Sequence, residues 1–104
     1  MNEIEKNILL ALSTCGGKYR YVHSATVIGE VQANYFAIGD EKIYSSILDM
    51  SKQNQSPICL QSKESNNENL YKVGYRYTEI KLSSFGKEFL DKELKTFTFQ
   101  NKKI

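Results

Sequence analysis

The sequence predicts an α+β domain, mainly helical, in which three helices and a two-stranded ribbon precede a closing helix. Three observations carry that prediction. Apolar residues recur at helical spacing in three separate stretches before residue 54. Between Pro57 and Leu82 the pattern changes to short extended runs on either side of a polar loop. The stretch YTEIKLSSFGKEFLDKEL (77–94) then alternates at Ile80 and Leu82, breaks at Ser83-Ser84, and carries Phe85, Phe89, Leu90 and Leu94 on one helical face.

The elements follow in order. Ile4, Ile8, Leu9 and Leu12 share one face of a helix over about residues 2 to 14, with Glu3 and Glu5 at the positive end of its dipole. Gly16-Gly17 ends it as a C-cap. KYRYVHSAT alternates poorly and reads as a loop or a very short strand. Ser24 is the expected N-cap of a second helix that carries Val27, Ile28 and Val31 and stops near Asn34.

YFAIGD connects to the clearest helix, about residues 40 to 53, with Asp40 as its expected N-cap. Ile43, Ile47 and Met50 share its buried face, Tyr44 and Leu48 widen it, and Lys42, Ser45, Ser46, Asp49, Lys52 and Gln53 lie on or near the other side. NQSP ends that helix, and Pro57 opens a strand, ICLQS. KESNNEN separates this strand from a longer run, LYKVGYRYTEIKL. That run has a phase conflict: Tyr71, Val73, Tyr75 and Tyr77 are odd, whereas Ile80 and Leu82 are even. A regular strand cannot set both on one face. Either a bulge or sharp twist lies near Thr78-Glu79, or the outer half of the ribbon leaves the body of the domain. The last helix spans about Ser84 to Lys95, and TFTFQNKKI follows.

Helix, helix, helix, strand, strand, helix is the order of a winged helix-turn-helix. It also explains the run of ribbon into helix: the returning strand must reach the helical core before the chain leaves as a helix. The 104 residues form a single domain, with a core of about 2–95 and a tail of 96–104. The apolar share of 40%, the charged share of 25% and the net charge of +2 place it among ordinary globular chains. Glu3, Glu5 and the short run Ile8 to Leu12 do not make a signal peptide. No stretch approaches the roughly 18 apolar residues of a membrane span. The expectation is a cytoplasmic chain that binds no membrane, with Cys15 and Cys59 as reduced thiols.

Two segments resemble a known group. GDEKIYSSILDM resembles the recognition helix of PadR-like and MarR-like regulators. YRYTEIKLSSFGKEFL is similar to their returning wing strand and following helix, commonly Tyr-x-Leu-Thr-x-x-Gly-(Lys/Arg)-x-x-Leu, with Leu82, Ser83, Gly86, Lys87 and Leu90 matching in order and Ser standing for Thr. NQSPICL stands where these families usually carry Gly-Leu-Ile after the recognition helix. The resemblance loosely covers residues 4 to 95 and implies a dimeric transcriptional regulator that binds double-stranded DNA. Winged helices also serve as protein-docking modules without DNA binding, and this is the alternative.

The residues themselves divide on that question. The third helix carries Lys42 and Lys52 against Asp40, Glu41 and Asp49, an acidic balance for a surface meant to approach phosphates. The wing is the opposite. Lys72, Arg76 and Lys81 interleave with Tyr71, Tyr75 and Tyr77, a mixture suited to a sugar-phosphate backbone. The candidate DNA-binding residues are therefore Lys42, Ser45, Ser46 and Lys52 on the helix, and Lys72, Tyr75 and Arg76 on the wing. Ser45 and Ser46 can hydrogen-bond to either base type. Lys18 and Arg20 would supplement the basic rim.

No Gly-rich phosphate loop, nucleophile elbow or apolar carboxylate pair appears, so no catalytic residue, enzyme activity or cofactor is expected. His23 has no neighbour at ligand spacing, so no metal is expected. Apolar stripes on the first and last helices, extended by Phe97 and Phe99, point to a homodimer seam.

Overall fold

The computed structural model describes residues 2–34, 38–62 and 78–93. Among the described residues the order is α1 (Glu3–Thr14), β1 (Val22–His23), α2 (Ser24–Asn34), α3 (Asp40–Ser51), β2 (Ile58–Ser62), β3 (Thr78–Leu82) and α4 (Ser84–Glu93). This is an α+β fold, mainly helical, with the element order of a winged helix-turn-helix. The expected ribbon of two strands is part of a three-stranded antiparallel sheet in the order β1-β3-β2. The short strand β1 adds the third, pairing Val22 with Ile80 and His23 with Glu79.

Helix α1 begins with a capping box. The Asn2 side chain accepts from the Glu5 backbone N–H at 2.8 Å, and the Asn2 N–H donates to Glu5 Oε1 at 3.1 Å. Its far end is a Schellman motif: the Gly16 N–H donates to Ser13 O and the Gly17 N–H to Leu12 O. Gly16 has φ +91°, a backbone state that side-chain-bearing residues adopt only at a cost. The Gly17 carbonyl then accepts from the Leu82 N–H at 2.8 Å, tying the end of α1 to the end of β3.

The core is built as the spacing predicts. Ile8, Leu9 and Leu12 of α1, Val27 and Val31 of α2, Ile43, Ile47 and Met50 of α3, and Ile80 of β3 are fully buried together. Two expected caps shift by one residue. His23, not Ser24, precedes α2, and its Nδ1 accepts from the Ala25 N–H at 3.1 Å, while Ser24 is the first helical residue and is buried. Gly39, not Asp40, caps α3 without a side-chain bond. Asp40 is the first helical residue, and its carboxylate accepts from the Gln32 side chain while still facing the positive helix end. Helix α3 ends at Ser51, two residues short of the expected limit.

Within the described part of the wing the even residues face the core. Thr78, Ile80 and Leu82 are buried, while Glu79 and Lys81 alternate outward. Thr78 pairs with Ser62 and Glu79 with Gln61 in uninterrupted register, so no bulge lies at Thr78-Glu79. Tyr71, Val73, Tyr75 and Tyr77 lie outside the described residues.

The junction from β3 into α4 gives the matched motif a structural meaning. Ser83 is the N-cap: its hydroxyl accepts from the Gly86 N–H at 3.1 Å and donates to Ser56 O at 2.6 Å, and its N–H donates to Pro57 O at 3.0 Å. Gly86 lies so close to Pro57 that a Cβ there would stand 2.1 Å from the Pro57 carbonyl oxygen. The Leu-Ser-x-x-Gly sequence is therefore a docking joint between α4 and the start of β2. No described helix is long and apolar enough to cross a membrane.

Candidate nucleic-acid interface

Helix α3 is amphipathic with its polar side bare. Ile43, Tyr44, Ile47 and Met50 turn inward, and Lys42, Ser45 and Asp49 are exposed at successive turns of the other face. Lys52, exposed at the C-cap, extends that stripe, and half-buried Ser46 borders it. The structure thus brings Lys42, Ser45, Ser46 and Lys52 onto one side of one helix. Glu41 and Asp49 lie on the same side, so the stripe has no cationic excess. Lys72, Tyr75 and Arg76, the candidate wing residues, lie outside the described residues.

Besides its buried apolar face, this helix is held by a bond the sequence did not disclose. The Tyr44 and Thr78 hydroxyls meet at 2.9 Å in the buried interior, joining α3 to the first residue of β3. A Tyr on an otherwise apolar helix face was the signal, since a buried phenol needs a polar partner. Its partner is 34 residues away in sequence. Across the sheet, on the outward side of β3, the Gln61 amide donates to Glu79 at 2.9 Å.

Lys18 and Arg20 do not join the α3 stripe. They lie in the connection between α1 and β1, where Arg20 packs over Gly16 and Lys18 pairs with Asp91 at 3.7 Å. Tyr19 and Tyr21 stand beside them. Lys87 of α4 lies 5.3 Å from the Tyr19 ring centre and Lys81 of β3 lies 4.9 Å from that of Tyr21. This cluster was invisible to sequence reasoning, because Lys81 and Lys87 reach it only through the pairing of β1 with β3 and the docking of α4.

The remaining candidates have local roles. The Cys15 thiol donates to the Thr26 carbonyl at 3.9 Å. Burial chiefly, and the Glu30 carboxylate secondarily, raise its pKa, which keeps it a thiol rather than a reactive thiolate. Cys15 and Cys59 are both free. His23 serves as a helix cap. Among the described residues no three His, Cys, Asp or Glu side chains are grouped to hold a metal ion.

The apolar stripe of α1 is consumed by the core, with Ile8, Leu9 and Leu12 fully buried. On α4, Phe85 is 37% exposed, and Phe89 and Leu90 are half-buried. Phe85 and Phe89, with ring centres 6.5 Å apart, line an open depression of about 270 Å³ together with Glu88 and Lys92. Leu94, Phe97 and Phe99 lie outside the described residues.

Among the described residues, then, the fold is α+β and compatible with a winged helix, with the polar face of the third helix exposed. No protein-family model matches the chain. Among characterised proteins it is similar to a DNA topoisomerase 4 subunit from Mycoplasma pneumoniae, with 30% identity over 95 residues. That match takes in 86% of this chain and 12% of the relative, so the chain spans a small fraction of that protein's length.

Proposed function

We propose that this chain is a small winged-helix DNA-binding protein of the PadR-like or MarR-like kind, a transcriptional regulator that acts in the cytoplasm as a homodimer. It works by binding and performs no catalysis. The observation that carries the reading is the bare polar face of α3, with Lys42 and Ser45 outward, half-buried Ser46 at its border and Tyr44 fixed to the root of the wing. A helix positioned in this way is the element that enters a major groove in helix-turn-helix proteins. The similarity to a protein named for its action on DNA supports the same direction.

Affinity in this reading comes largely from Lys72 and Arg76 on the wing, since α3 has no cationic excess. Serine hydroxyls give weak base readout and the wing gives phosphate contacts. The homodimer expected through the first and last helices would rest on the last, where Phe85 is exposed and Phe89 half-buried, because α1 gives Ile8, Leu9 and Leu12 to the core.

Selection of fragments from random duplex DNA by the purified protein tests the proposal. Enrichment of a sequence class is expected. Removing the charges of Lys72 and Arg76 together should weaken all duplexes alike and flatten the salt dependence by about one unit of slope per lost contact. Ser45→Ala with Ser46→Ala should instead change sequence preference, by about 1 kcal/mol or less. Glu41 and Asp49 on the exposed stripe favour a second reading, a protein-docking winged helix. A wild-type protein that binds no duplex at low salt would defeat the first reading and make the second the better account.

A further inference from the structure

Tyr19 is 80% exposed, against 37% for Phe85. A tyrosine so placed contributes little to the core, yet it is not surrounded by neutral surface. The ammonium groups of Lys18 and Lys87 lie 6.0 and 5.3 Å from its ring centre. Tyr21 has Lys81 at 4.9 Å, and exposed Arg20 stands between the two tyrosines in sequence. Three ammonium groups thus lie over two rings, and the Arg20 guanidinium lies nearby in the same connection, over Gly16. The carboxylates facing them are Asp91, in an exposed pair with Lys18, and Glu79 beside Tyr21. An exposed pair at that distance is weak and readily exchanged for another anion.

This surface is separate from α3. Lys81 alternates along β3 with buried Ile80 and Leu82, and it is on their inward side that Thr78 meets Tyr44 of α3. Lys81 and the Tyr21 ring beneath it therefore lie on the opposite face of the sheet, with Tyr19 two residues before Tyr21 in the chain.

We propose that this face binds single-stranded nucleic acid, with the Tyr19 ring as a stacking platform and Lys18, Arg20, Lys81 and Lys87 as contacts to its phosphates. Aromatic rings interleaved with cations are the chemistry that holds unpaired strands, because every base offers a π-face and every linkage a negative charge. A closed duplex hides its base faces and would use the cations alone. An acidic peptide would satisfy the cations and leave an 80% exposed ring without a partner.

Fluorescence anisotropy of a labelled oligothymidine of about 16 nucleotides, titrated with the full chain at low salt, tests the proposal. The wild type should bind, and Tyr19→Phe should retain binding. Tyr19→Ala should lose roughly tenfold in affinity, as expected for one base–ring stack. Lys81→Gln with Lys87→Gln should weaken binding and flatten its salt dependence. Tyr19 lies on the surface, so its variants should keep the wild-type circular dichroism. Absence of oligothymidine binding would overturn the proposal, as would a Tyr19→Ala protein that binds like wild type. Equal competition by polyglutamate or by mixed-sequence duplex would also overturn it, showing a surface for polyanions in general. Duplex selection through α3 should be untouched by Tyr19→Ala, so this proposal and the regulator reading fail by separate results.

Discussion

Replacing Gly86 by Ala sets two effects of opposite sign against each other. On helix propensity alone the change stabilises α4, by about 1 kcal/mol. The structure predicts the reverse. The new Cβ would stand 2.1 Å from Pro57 O, 3.0 Å from Pro57 C and 3.2 Å from Leu82 Cδ2. Two of those atoms are backbone, so α4 must retreat by about 1 Å before the contact is tolerable. That retreat stretches the bonds from the Ser83 N–H to Pro57 O and from the Ser83 hydroxyl to Ser56 O. Two weakened hydrogen bonds cost about 2 kcal/mol and overpacking adds about 1–3 kcal/mol. After the propensity gain the net loss is about 2–4 kcal/mol, a large part of the ~5–15 kcal/mol total of a domain this size. Urea unfolding followed by circular dichroism measures it. Gly29→Ala is the control, because nothing lies within 4 Å of its Cβ position on exposed α2 surface. That variant should gain about 0.5–1 kcal/mol. A Gly86→Ala protein stabilised like Gly29→Ala would refute the docking joint.

Three further outcomes follow from named contacts. Tyr44→Phe should cost about 0.5–1.5 kcal/mol in urea unfolding by removing the phenol from the Thr78 hydroxyl, and a neutral result would show that this bond does not hold α3. The raised Cys15 pKa means that the folded chain keeps a proton which the unfolded chain gives up sooner. Stability from this source is whole below the ordinary thiol range and falls as pH rises through the raised value, so Cys15→Ala should soften the alkaline decline measured by unfolding from about pH 8 to 10. Tyr21, also raised chiefly by burial, has the same sign at higher pH, so the comparison is wild type against Cys15→Ala; parallel curves would contradict it. Phe85→Glu with Phe89→Glu should convert a dimer to a monomer in sedimentation, whereas a wild type that is already monomeric at micromolar concentration would exclude the seam.

The helices were legible in the sequence because their apolar residues repeat at the helical period and their ends carry turn chemistry. Gly16-Gly17 announced the end of α1, whereas at its start Glu5 was read only as an acid at the dipole and its capping box with Asn2 was missed. Two caps were read one residue late: His23 is rarely a cap, and only its ring position makes it one, while Gly39 caps α3 with no side chain to signal it. Strand β1 has two residues and no pattern of its own, so it exists only because β3 is there to pair with it. The site was half legible. Periodicity found the bare face of α3. The bond between Tyr44 and Thr78 and the meeting of Tyr19 with Lys87 depend on contacts across the fold that no local pattern encodes. The stripe of α1 misled for a related reason, since an apolar face looks the same whether the core or a partner covers it.

The central claim is that the outward face of α3 meets duplex DNA. Titrating isotope-labelled protein with a short mixed-sequence duplex at low salt, and following backbone amide signals by NMR, tests it most directly. Shifts should concentrate at Lys42, Ser45 and Ser46, with the amides of Ile8 and Leu9 in the buried face of α1 unmoved. A spectrum unchanged by duplex, or one whose shifts avoid α3, would contradict it.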